Sequence, residues 1–361
     1  MSERVGPVAS TGPTVETGVT IPAAVPELRA SRRWLVLAGL AGVGVLAFLI
    51  TRADLQRLVD TARGISPARL LLPVLATLGS YLTMARSYQG IAAAAGWNFP
   101  FGDMCRITLV ANTANYLLST AGLSGFALRM YLFRRRGTPT SIAVIISLVQ
   151  TLLTNLVLLV FVIAGFVLLL FSHNLMGREL LVATTLLLGF SALVLVTSIV
   201  VLHRNWRRGI LFRCTHLLDR ALARLTPQRR PQRLTLMRFQ RTLHVGLDFL
   251  LERPHEMLVP TLYIFLDWIF TLLVLYTSFV AIGYPIAMTH VIAGFAIGMF
   301  CSLVSLVPGG LGVLEGSMAA VFASLNVPLE HAVVAVLIFR AAYYGLPVLA
   351  SLPLMHRTVR A

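Results

Sequence analysis

Residues 105–125 read CRITLVANTANYLLSTAGLSG, and the fold turns on whether this stretch crosses a bilayer or turns back within it. It is apolar enough to enter hydrocarbon, yet it holds Asn112, Asn115, Ser119, Thr120, Gly122 and Gly125. Seven other apolar stretches approach or exceed the ~20 residues needed to span a bilayer core. They fall at 34–50, 70–95, 139–171, 179–202, 257–282, 287–325 and 332–354, and the sixth of these is broken at Pro308-Gly309-Gly310.

The composition agrees with a bilayer as solvent. Of 361 residues, 57% are AVILMFWYC and 12% are charged, against ~25% charged in soluble domains, and the mean hydropathy is +0.82. So few charges cannot cover a globule in water, which excludes soluble enzymes and free nucleic-acid binders. All 30 cations are arginine, a compositional bias, and the +16 charge speaks to topology rather than to a nucleic-acid partner. Cys105, Cys214 and Cys301 are isolated, in neither a disulfide framework nor a zinc spacing.

Arginine placement decides the topology. The segment 203–255 carries twelve arginines, and Arg129 with Arg134, Arg135 and Arg136 follow the 105–125 stretch. If all of the first five stretches crossed, both basic loops would be exported while the N-terminal arginines stayed inside, against the positive-inside rule. If 104–125 enters from the cytoplasm and returns, 22 arginines are cytoplasmic and 5 are external. The same logic makes 287–325 re-entrant from outside. The expected fold is thus an all-α polytopic membrane protein with six spanning helices and two broken re-entrant helical hairpins, both termini cytoplasmic, in the cell (cytoplasmic) membrane. Broken backbone at membrane depth needs protein or a watery cavity to satisfy its polar groups, and opposed broken elements build midplane sites in many transporters.

Residues 1–30 read as a disordered cytoplasmic tail, and 31–356 as one membrane domain. No secretory signal is expected, because the first apolar stretch starts at Trp34 behind Arg29, Arg32 and Arg33 without a small-residue cleavage site. Within the domain, 51–69 reads as a helix on the outer surface, with Leu55, Leu58 and Val59 on one face. The Arg-rich cytoplasmic loop 203–255 reads as a helical pair touching anionic headgroups.

Charges inside the layer are few and costly. Arg86 lies near the cytoplasmic end of the second span, where snorkelling to the interface competes with ligand binding. Asp103 and Arg106 are three apart and read as a local ion pair. Arg129 follows the Gly122–Gly125 break and serves either as a positive-inside anchor or as a ligand. Asp267 is surrounded by an apolar helix. Glu315 falls in the first turn of the helix restarting after Pro308, Gly309, Gly310 and Gly312, where capping free N–H groups is the alternative role. Arg340 sits about a third of the way down the last span, paired structurally with Glu315 or holding a ligand. The PGGLG break lacks the Lys-Ser/Thr of a phosphate loop, no metal-ligand cluster occurs, and no cofactor is implied.

The order of these motifs resembles the flippase-like transmembrane region of the lysylphosphatidylglycerol synthase family. The likeness rests on ADLQRLVDTARGISPARLLLPVLATLGSYLTMARSYQGI (53–91), NYLLSTAGLSGFALRMYLFRRRG (115–137), SLVPGGLGVLEGSMAAVF (305–322) and FRAAYYGLP (339–347). It places functional positions on Arg86, Arg129, Pro308, Gly309, Gly310, Gly312, Glu315, Arg340 and Tyr344, with Pro347 closing the last motif. Two departures are Phe126, where the family often has an acid, and Gln150, Thr154 and Asn155, where it often has charges. The chain ends at Ala361, soon after the last span, so the expectation is a stand-alone membrane region without the family's aminoacyltransferase domain.

The resemblance implies a lipid translocase moving a polar-headed phospholipid or a polyprenyl-phosphate-linked lipid, with membrane lipids as partners and no catalytic residues. Arg86, Arg129 and Arg340 would hold a phosphate, while Glu315 and Asp267 would face an amine or orient the arginines. The competing expectations are a non-transporting scaffold for envelope synthesis and a polyprenyl-linked glycosyltransferase-type enzyme.

Overall fold

The computed structural model describes residues 55–117, 123–172, 252–305, 307 and 310–360, with isolated positions between 185 and 248. Among the described residues every regular element is helical. The tail 1–30, the stretch 34–50, and most of 179–202 and of the loop 203–255 lie outside them, as do Pro308 and Gly309. The helices are α1 (Leu55–Arg63), α2 (Leu71–Ala94), α3 (Phe101–Leu117), α4 (Leu123–Arg134), α5 (Thr140–Ser172), α6 (Pro254–Ala281), α7 (Met288–Ser305), α8 (Val313–Ser324), α9 (Leu329–Arg340) and α10 (Leu346–Arg360).

Three of these stretches are long and apolar enough to cross a membrane, namely Thr140–Leu168, Pro254–Ala281 and Leu329–Leu354, and shorter apolar helices accompany them. The sequence led to six spans. Two of the expected six fall largely outside the described residues. A third, α2, has 24 residues, about 36 Å at 1.5 Å per residue, but dilutes its apolar character with Ser80, Thr83, Arg86, Ser87 and Gln89. The helix expected over 51–69 is shorter than anticipated. It gives way at Gly64 to turns around Ser66-Pro67, and the Ser66 N–H donates to the Ala281 carbonyl at 3.2 Å, tying α1 to the end of α6.

The scaffold is the antiparallel pair α2–α6. A methyl group at Gly79 would lie 2.7 Å from the Phe270 ring, and one at Gly90 would lie 2.9 Å from Pro260. Small residues thus bring the two backbones close, which is how packing drives helix association in an apolar solvent. Their outer faces remain apolar and exposed: Leu71, Leu75, Leu78 and Leu82 on α2, and Leu258, Leu262 and Phe265 on α6. Both sets recur at helical spacing, the pattern of surfaces turned to lipid.

Around this pair stand two helical hairpins. In the first, Ser124 donates to the Ala114 carbonyl and the Gly125 N–H donates to Asn115 Oδ1, so α3 and α4 run antiparallel across 118–122. At its open end Phe99 packs on Phe133, with ring centroids 5.4 Å apart, and Arg136 pairs with Asp103 at 2.7 Å. In the second, Gly294 of α7 faces Phe322 of α8 and Gly298 faces Met318. The turn between them carries Gly310 and Gly312 at φ +61° and +77°, a conformation glycine adopts without Cβ strain.

The two hairpins open at opposite ends of α6. The first adjoins the end of α2 that Gly90 sets against Pro260, at the start of α6. The second begins just past Ala281, at its finish. With 28 residues, α6 is about 42 Å long.

Candidate functional site

Tyr116 of the first hairpin and Leu311 of the second meet at the last helical segment. Between α9 and α10 the backbone widens into a single π turn, Ala341–Gly345, immediately after Arg340. Such bulges displace the following side chains and are frequent at functional sites. Arg340 lies 11 residues from Leu329 and 14 from Leu354, the ends of the apolar stretch. Those separations are about 17 and 21 Å along the helix.

Glu315 answers it. Its Oε1 lies 2.6 Å from Arg340 Nε, with the two side chains only 5% and 11% exposed. The helix restart at Val313 puts Glu315 in the first turn of α8, so the break in the second hairpin aims the carboxylate at the last helix. The second carboxylate oxygen, Oε2, and Arg340 Nη2 are buried without a hydrogen-bond partner among the described residues. Leaving such charged atoms unanswered is expensive. Arg340 also lies over the Tyr344 ring, 4.4 Å from its centroid, a cation–π contact that holds the guanidinium without neutralising it.

Tyr344 packs on Tyr116 of α3, ring centroids 4.5 Å apart. Beside them lies a cavity of about 440 Å³ bounded by Tyr116 of the first hairpin, Leu311 from the turn of the second, and Arg340, Tyr344 and Gly345 of the last helix. Val348 and Leu349 complete the wall, and Leu311 and Leu349 are exposed. Thr113 of α3 reaches the Pro347 carbonyl at 3.4 Å, closing the first hairpin onto α10.

The other expected positions are distributed as follows. Arg129 is buried in α4, with Nη2 3.3 Å from Asn112 Oδ1 and the guanidinium 4.3 Å from the Tyr88 ring centroid. Its Nε has no hydrogen-bond partner among the described residues. Asp267 is buried in α6 and accepts a hydrogen bond from Ser80 of α2 rather than pairing with an arginine. Arg86 stands apart: it is exposed, bonded to Gln89 at 2.9 Å and placed 4.0 Å from the Phe101 ring centroid. Asp103 takes Arg136 at 2.7 Å as its partner, with Arg106 more distant at 4.0 Å. Closing the hairpin brings a residue 33 positions away nearer than one a helical turn away. Gly310 and Gly312 shape the turn beside the cavity; Pro308 and Gly309 lie outside the described residues. Tyr116, Tyr81, Tyr343 and Tyr88 were not singled out from sequence. Their only signal was the placement of aromatic hydroxyls inside apolar helices, which is ordinary in a core.

Comparison with known proteins places this arrangement in a family. The family model described as "Lysylphosphatidylglycerol synthase TM region" matches residues 35–351. The chain belongs to this family. It is therefore a multi-pass membrane protein with a membrane- and lipid-related role. A phosphatidylglycerol lysyltransferase of Staphylococcus haemolyticus is 40% identical over 86 residues, and one of Staphylococcus aureus is 34% identical over 86 residues. Each alignment covers 24% of this chain and 10% of the relative, so the likeness to those enzymes is confined to about a tenth of their length.

Proposed function

We propose that this member of the lysylphosphatidylglycerol synthase transmembrane family is a lipid translocase. In this reading six helices span the cell membrane, the termini are cytoplasmic, and the two hairpins dip in from opposite faces. The observation that carries it is the cavity that Tyr116, Leu311 and the π turn form beside Arg340, which Glu315 pairs. A phosphate would bind Arg340 Nη2, and an amine, where the headgroup has one, Glu315 Oε2. The tails would pass Leu311 and Leu349, which are exposed, and stay in hydrocarbon. Pairing the headgroup phosphate with Arg340 on the way offsets the cost of taking a charge through lipid. Arg129, a buried cation without a carboxylate partner among the described residues, offers a second phosphate contact on the cytoplasmic side, and Arg86 a first encounter at the interface. A phospholipid and a polyprenyl-phosphate lipid share the phosphate these arginines would take.

The test is dithionite bleaching of proteoliposomes carrying fluorescent phosphatidylglycerol or a fluorescent polyprenyl phosphate. The intact protein is expected to expose inner-leaflet probe, and Arg340→Ala to lower that rate at least tenfold. Each ~1.4 kcal/mol of lost headgroup binding in the barrier costs a factor of ten. Equal rates in Arg340→Ala and the intact protein would remove Arg340 from the path, and no movement of either probe would count against translocation of these lipids.

A further inference from the structure

The arginines and Glu315 suffice to hold a headgroup, which leaves one buried charge unused. Asp267 is the fourteenth of the 28 residues of α6, about 20 Å from either end, and it is buried. Among the described residues no cation lies within ion-pair distance of it. From α2, Ser80 donates to its Oδ1, and Tyr81 and Tyr88 are the ionisable groups nearby. Tyr343 faces it from the π turn and Tyr116 from α3. α5 contains no ionisable side chain. α7 has His290 and Cys301 near its two ends, and α9 has Glu330 and His331 at its start and Arg340 at its end, the last held by Glu315. An isolated carboxylate at this depth is costly, and taking up a proton removes the charge.

The surroundings suit both forms. The Ser80 hydroxyl donates to the carboxylate, and by rotating it accepts from the carboxylic acid. A file of hydroxyls leads away from it. Ser80 Oγ lies 3.5 Å from Thr271 Oγ1, which lies 3.3 Å from the Tyr343 hydroxyl. Thr271 Oγ1 also donates to the Asp267 carbonyl at 2.8 Å. The Tyr343 ring packs against Tyr344, centroids 5.2 Å apart, and against Tyr81, centroids 6.1 Å apart. Tyr81 in turn donates to Tyr116 at 3.4 Å. Tyr116 and Tyr344 line the cavity.

We propose that Asp267 is a proton-binding site served by a file of the Ser80, Thr271 and Tyr343 hydroxyls that ends behind the Tyr344 wall of the cavity, so that an anionic headgroup and a proton are carried together. This rests on the translocation reading. A water that passes the Tyr344 ring gives a proton to the Tyr343 hydroxyl, each hydroxyl of the file accepts one and releases another, and the proton ends on a carboxylate oxygen of Asp267. Release runs the same steps backwards, and no group is consumed. The coupling is electrostatic: a phosphate beside Arg340 adds a negative charge to the same low-dielectric region, which favours neutral Asp267.

The experiment uses proteoliposomes with fluorescent phosphatidylglycerol and an imposed pH gradient, against protein-free vesicles as baseline. The intact protein is expected to enrich the probe on the alkaline leaflet by up to about tenfold per pH unit for one proton per lipid. Asp267→Asn is expected to move the probe but leave it evenly distributed. Tyr343→Phe keeps the carboxylate and cuts the file, and it too is expected to lose the gradient response, which preserves the test should Asp267→Asn not fold. Gradient-independent movement by the intact protein, or an intact response in either variant, overturns the proposal and leaves translocation standing. A separate readout is the component of the carboxyl C=O infrared band, as pH is lowered, that the intact protein and Glu315→Gln show in difference spectra against Asp267→Asn. Should the intact protein not move the probe, translocation fails and this band alone decides: its absence from the intact protein overturns the proton site.

Discussion

Replacing Glu315 with alanine while Arg340 stays in place is expected to destabilise the protein by about 3–5 kcal/mol, the usual cost of leaving one member of a buried ion pair alone. The partner is only 11% exposed, so it keeps its charge in a low-dielectric site. The double variant Glu315→Leu with Arg340→Met is expected to recover most of that loss. Apolar side chains of similar volume replace buried pairs at little or no cost. Thermal unfolding in detergent measures both. Headgroup movement separates structure from function: the double variant is expected to be stable and inactive. If it is stable and transports as well as the intact protein, the pair only holds α8 against α9.

The second large effect is expected at Gly125→Ala. A Cβ at that position would overlap the Ala111 carbonyl oxygen and the Asn115 side chain, whose Oδ1 accepts the Gly125 N–H at 2.6 Å. The backbone oxygen cannot swing aside, so α3 and α4 must separate. Overpacking of this kind typically costs ~1–3 kcal/mol, and here a buried hydrogen bond is lost with it. Because Tyr116 lies next to Asn115, spreading the hairpin also moves one wall of the cavity. A lower unfolding midpoint together with slower lipid movement is the expected result. Gly102→Ala is the control: nothing lies within 4 Å of its would-be Cβ, and alanine favours a helix. Equal behaviour of the two variants would mean that the first hairpin is not closely packed.

The two breaks were legible because they violate composition. Asparagines and glycines inside 105–125, and PGGLG inside 287–325, are expensive in lipid unless the chain turns back there. Glu315 and Arg340 were legible as two charges too deep for any other account, and the structure pairs them. The π turn at Ala341–Gly345 was not, since AAYYG is ordinary helical sequence and the widening comes from packing against α2, α6 and α10. Partners distant in sequence escaped for the same reason. Ser80 meets Asp267 across 187 residues and Arg136 meets Asp103 across 33, while helical spacing alone offered Arg106. Arg86 shows the limit from the other side. One intramembrane arginine looks like another in sequence, but this one turns outward onto Phe101.

Opposed entry of the two hairpins is tested most directly by labelling single cysteines in intact cells with a membrane-impermeant maleimide, in a background lacking Cys105, Cys214 and Cys301. Asn98 and Arg135, exposed at the open end of the first hairpin, and Ala287 and Ala323, exposed at the open end of the second, are the positions to use. Cysteines at Ala287 and Ala323 are expected to react from outside, and those at Asn98 and Arg135 only after the membrane is permeabilised. Reaction of Arg135→Cys from outside while Asn98→Cys stays protected would mean that 104–125 crosses the bilayer, and would contradict the opposed hairpins.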